Sequence, residues 1–114
     1  MSNSAYAHIG FGEGEVRDNN VISFLDKHAQ LFPQKTALQW VARKTLQVWD
    51  GVSNLSHESV VYKDLVNKIN AVSGGLKNLG ITKGDRVIIF VPLSVELYVT
   101  MFAVQRLGAI AVLL

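Results

Sequence analysis

Apolar positions along the chain alternate between a three-to-four-residue spacing and short unbroken runs, and each change of pattern marks an element. Ile22, Leu25, Ala29 and Phe32 fall on one face of a helix that Asn19 or Asn20 can cap and Pro33 stops. Thr36 to Val41 and Leu46 to Trp49 carry residues suited to a pleated strand, separated by Arg43-Lys44, and predict a hairpin. The polar run Asp50 to Ser59 predicts a loop, and Val60-Val61-Tyr62 a short strand that feeds the next helix. There Leu65, Ile69, Val72, Leu76 and Leu79 step along one face, the clearest helical signal in the chain. Gly74-Gly75 inside that helix costs about 1 kcal/mol per residue relative to Ala, which predicts another backbone close by. Gly80 stands where a left-handed C-cap belongs.

Arg86 to Val91 is β-branched and almost wholly apolar, the pattern of a strand covered on both faces, and Pro92 ends its ladder. Ser94 can cap a helix in which Leu97, Met101 and Val104 line one side while Val99, Phe102 and Ala103 widen the apolar surface. Gly108 ends that helix, and Ala109 to Leu114 form a second buried-type strand. Strand, helix and strand in such close succession predict a parallel pair with a right-handed crossover. The fold class is therefore α/β: a parallel-sheet portion built on a βαβ crossover, plus an N-terminal helix and β-hairpin. Residues 1–18 mix Gly, Ser, Glu and Asn without periodicity and predict a flexible leader. One crossover and one hairpin are too little to cover both faces of a parallel sheet. With its wholly apolar last strand, the chain reads as part of a domain cut at the C-terminus.

Composition narrows the partners more than the fold. Eleven Lys and Arg against nine Asp and Glu give a net charge of +2, spread along the chain, so no basic stripe marks a nucleic-acid surface. Cysteine is absent, which removes disulfides and thiolate chemistry and fits a cytoplasmic location. Met1 to Gly10 lack the basic and apolar regions of a signal peptide, so the acceptor pattern Asn54-Leu55-Ser56 is not expected to carry a glycan. Pro92, Glu96 and Arg106 interrupt the apolar region from Val87 to Leu114, leaving no transmembrane segment.

Several motifs invite a chemical reading that their context refuses. Gly80-Ile81-Thr82-Lys83-Gly84 lies between a helix and a strand, the reverse of a phosphate-binding loop, and reads as a turn. Gly10-Phe11-Gly12-Glu13-Gly14 lacks both the preceding strand and the following helix of a dinucleotide site. His8, His28 and His57 have no metal-ligand spacing. Asp85 and Arg86 suit a charged turn before a buried strand, and Trp40 and Trp49 suit packing across the predicted hairpin.

Four segments resemble, in order and spacing, the beginning of the adenylate-forming superfamily of acyl- and aryl-CoA synthetases, luciferases and adenylation domains. They are Phe32-Pro33-Gln34-Lys35-Thr36-Ala37-Leu38, Val61-Tyr62-Lys63-Asp64-Leu65, Leu79-Gly80-Ile81-Thr82-Lys83-Gly84-Asp85-Arg86-Val87 and Gln105-Arg106-Leu107-Gly108-Ala109. The resemblance implies that residues 19–114 begin an N-terminal AMP-binding domain, part of a larger adenylating fold. It further implies a full-length ligase that uses ATP and Mg²⁺ to turn a carboxylic acid into acyl-AMP, then passes the acyl group to a thiol such as coenzyme A. Fatty and aryl acids are equally open as substrates. The family's phosphate loop, ribose-binding aspartate and C-terminal lysine have no counterpart here, so no catalytic, cofactor-binding or metal residue is assigned and the 114-residue chain is expected to be inactive alone. Val61 stands where the family usually has Ser or Thr, removing a hydroxyl N-cap that Asp64 partly replaces through the helix dipole. The alternative is a small α/β binding or assembly module without enzymatic activity. On either reading the apolar strand Ile110 to Leu114 predicts self-association.

Overall fold

The first helix, α1 (Val21–Leu31), starts where a reciprocal capping box satisfies its free amides. Ser23 N donates to Asn20 Oδ1 at 2.9 Å, and Asn20 N donates to Ser23 Oγ at 3.1 Å. Pro33 restricts the backbone before it, so Phe32 leaves the helical region after its N–H closes the last turn onto His28 O at 2.7 Å. The computed structural model describes residues 20–42 and 56–114.

Strand β1 (Thr36–Val41) pairs antiparallel with β2 (His57–Val61), with Leu38 opposite Val60 and Trp40 opposite Glu58. This corrects the sequence reading in two respects. His57, Glu58 and Ser59 are strand rather than loop, and they supply the partner for β1 that Leu46 to Trp49 were expected to supply. The three are exposed, so they carry no apolar alternation; main-chain pairing holds them in the strand, and only Val60 reaches the core. Leu46 to Trp49 and the leader lie outside the described residues.

Helix α2 (Tyr62–Asn78) has no side-chain cap at Val61, as the sequence indicates. Its first amides are met by the chain that enters β1: Tyr62 N donates to Lys35 O at 3.0 Å and Lys63 N to Pro33 O at 3.1 Å. Leu65, Ile69 and Ser73 are buried along one stripe. Leu79, expected on that stripe, is the C-cap residue and lies 80% exposed, one position past the packed turn. Gly74 and Gly75 are exposed, and a Cβ at either would meet nothing within 4 Å, so the close approach expected there is absent from the described residues.

Strands β3 (Arg86–Ile89) and β4 (Ile110–Leu113) form a parallel pair joined through α3 (Val95–Arg106). Ser94 Oγ accepts from Leu97 N at 3.3 Å to start α3. Both long helices stop by the same device. Gly80 N bonds Lys77 O and Ile81 N bonds Leu76 O; likewise Gly108 N bonds Gln105 O and Ala109 N bonds Val104 O. Each is a Schellman motif, with glycine in the left-handed region at φ +97° and +73°. In each the residue after the glycine packs in the same cluster as the residue three before the cap, Ile81 with Leu76 and Ala109 with Val104.

Two apolar clusters meet at α3. Val60, Leu65, Ile69, Val99 and Ala103 form one between the β1–β2 sheet and helices α2 and α3. Ile89, Val104 and Ala109 form the other against β3–β4. Neighbouring residues of α3 thus face different cores, which is why its apolar surface runs round most of the helix. Complete burial of Leu65 and Ile69 stabilises the fold by about 1.5–3 kcal/mol each. On the other side of the sheet Ile88 and Phe90 are 66% and 84% exposed, so among the described residues β3 is covered on one face, in line with one crossover and one hairpin being too little to cover both.

Candidate functional site

A concavity opens between the β1–β2 sheet and the starts of α2 and α3, with a volume of about 1290 Å³. Trp40 forms part of its wall, and Trp40 Nε1 donates to Glu58 Oε2 across the strand pair at 3.0 Å. Trp40 therefore packs against Glu58 on the facing strand, while Trp49, its expected partner, lies outside the described residues. Glu58, Asp64 and Glu96 line this concavity against a single Lys68. That balance repels a polyphosphate rather than holding one. Among the described residues no group of three or more His, Cys, Asp or Glu is placed to hold a metal ion.

The Gly80 to Gly84 segment is a turn between α2 and β3, and four of its five amides are already engaged. Thr82 N donates to Asp85 Oδ2 at 2.7 Å, Gly84 N to Gly108 O at 2.9 Å, and Gly80 and Ile81 to the end of α2. A phosphate would find those donors turned inward. Asp85 closes the turn, accepting from Thr82 N and Thr82 Oγ1, while Arg86 begins β3 as an exposed residue. His28 Nδ1 lies 3.0 Å from Phe24 O, with its ring 5.3 Å from Tyr62 and 6.1 Å from Phe32. It packs rather than ligates. His57 is exposed on β2, and His8 lies outside the described residues.

One polar constellation that the sequence does not announce ties α1 to α3. Arg106, in the last turn of α3, grips Asp26 of α1 through both carboxylate oxygens, at 2.6 and 3.1 Å. This bidentate fork fixes the angle at which α1 lies on α3. No local pattern could have paired residues 80 positions apart. Glu58, Asp85 and the Asp26–Arg106 pair each hold segments of the chain together.

A family model described as AMP-binding enzyme matches residues 25–114, from within α1 to the end of the chain. The chain belongs to the AMP-binding enzyme family. An acetyl-coenzyme A synthetase of Thiobacillus denitrificans is 40% identical over 100 residues, covering 88% of this chain and 13% of that protein. Another from Halorhodospira halophila is 31% identical over 106 residues, covering 93% of this chain and 15% of the relative. The chain thus spans less than one sixth of the length of these relatives. Among solved structures, the Klebsiella oxytoca NpsA N-terminal subdomain superposes with a TM-score of 0.63 at 29% identity, over 82% of this chain and 21% of that one. A Legionella pneumophila fatty acid AMP ligase superposes with a TM-score of 0.71 at 17% identity, over 92% and 16%, and shows the shared fold.

ATP and Mg²⁺, which membership of this family implies, do not fit the described residues. The concavity is net acidic, the glycine turn has engaged four of its five amides, and no metal-holding cluster exists among those residues. What these residues build is the frame: two helix stops, a parallel strand pair and an ion-paired helix packing. No helix among the described residues is long and apolar enough to cross a membrane.

Proposed function

We propose that residues 19–114 are the beginning of the adenylation domain of an ATP-dependent acid–thiol ligase, preceded by a leader over residues 1–18. The full-length enzyme joins a carboxylic acid to AMP, with release of pyrophosphate, and then transfers the acyl group to a thiol, coenzyme A being the acceptor. A free carboxylate resists nucleophiles, whereas the mixed anhydride offers AMP as a leaving group. The 114-residue chain contributes scaffold to that reaction and is inactive alone. ATP, Mg²⁺ and coenzyme A bind outside the described residues. We place the enzyme in the cytoplasm, in keeping with a chain that contains no cysteine.

The observation that carries this reading is the match to the AMP-binding model across α1 and both sheets to Leu114. The acetyl-coenzyme A synthetase relatives favour a small carboxylic acid. NpsA is solved with anthranilyl-AMSN and the Legionella ligase with an acyl adenylate, which keeps aryl and fatty acids under test. The test is ATP–pyrophosphate exchange by the complete gene product, beside the 114-residue chain, against acetate, benzoate-type acids and fatty acids. Acid-dependent exchange by the complete product and none by the chain is expected. Exchange by the chain alone would refute the scaffold assignment, and none by the complete product with any acid would favour a binding or assembly role.

A further inference from the structure

We draw no further inference here: the strongest candidate, the apolar face of the β3–β4 sheet at Ile88, Phe90, Ile110 and Leu114, carries nothing because nothing in the structure shows what covers it.

Discussion

Replacing Gly108 by alanine tests whether the two helix stops only need a left-handed residue or are also packed against each other. Gly80 and Gly108 occupy equivalent places in two Schellman motifs, at φ +97° and +73°. An L-residue there loses roughly 1–2 kcal/mol to the clash of Cβ with the following carbonyl, offset by about 0.4–1 kcal/mol because alanine has fewer unfolded conformations to lose. For Gly80→Ala nothing else enters, since the new Cβ meets no atom within 4 Å. At Gly108 the new Cβ would lie 3.0 Å from Lys83 Cγ, 3.3 Å from its Cβ and 3.6 Å from its Cα. The Lys83 backbone cannot retreat freely, because the adjoining Gly84 N is bonded to Gly108 O at 2.9 Å. Overpacking of this kind adds roughly 1–2 kcal/mol. Gly80→Ala should therefore destabilise by about 0.5–1 kcal/mol and Gly108→Ala by about 1.5–3 kcal/mol, read from urea unfolding monitored by circular dichroism. Asparagine, which tolerates the left-handed region, should recover most of the loss at position 80 and little at 108. Equal losses at the two glycines, or full recovery by Gly108→Asn, would show that the turns do not press on each other.

Three further outcomes are expected in the same unfolding assay. Ile69→Ala, which empties a fully buried site between α2 and its neighbours, should destabilise by about 2–5 kcal/mol, and a loss below about 1 kcal/mol would mean that this cluster is not the core. Asp26→Ala should lose about 1–2 kcal/mol because Arg106, whose Nε is buried without a partner, is left with its fork unmatched; a double-mutant cycle with Arg106→Ala that returns no coupling would remove the clamp. Ser94→Ala should lose about 1 kcal/mol through the N-cap of α3, and an unchanged unfolding midpoint would show that Ser94 does not cap the helix.

The sequence was most legible where a residue's own chemistry sets the backbone. Asn20, Pro33, Gly80, Ser94 and Gly108 each mark a helix boundary because cap and left-handed positions admit few residue types. It was least legible where structure is imposed from a distance. The strand at His57 to Ser59 exists because β1 lies beside it, and nothing in three exposed polar residues says so. The Asp26–Arg106 fork joins helices that no local spacing relates. Val61 lies between these cases: the missing cap is visible in the sequence, but its replacement by the carbonyls of Pro33 and Lys35 depends on how the chain enters β1. Gly74-Gly75 shows the reverse error, where composition suggested a contact that the described residues do not make.

The same division explains how a family can be recognised from residues that set the backbone. Two of the four segments carrying the resemblance, Leu79 to Val87 and Gln105 to Ala109, contain the two Schellman stops, the Asp85-closed turn and the bond from Gly84 N to Gly108 O. These residues set where α2 and α3 end and hence where β3 and β4 begin, since Ile110 N bonds Asp85 O at 2.7 Å directly after the second stop. A shift of one residue at either stop would turn every β3 or β4 side chain to the opposite face of the sheet. The strand ends depend on those two glycines and one aspartate, so the turn residues are constrained by the backbone they set. Their resemblance to the family thus follows from the strand geometry they set.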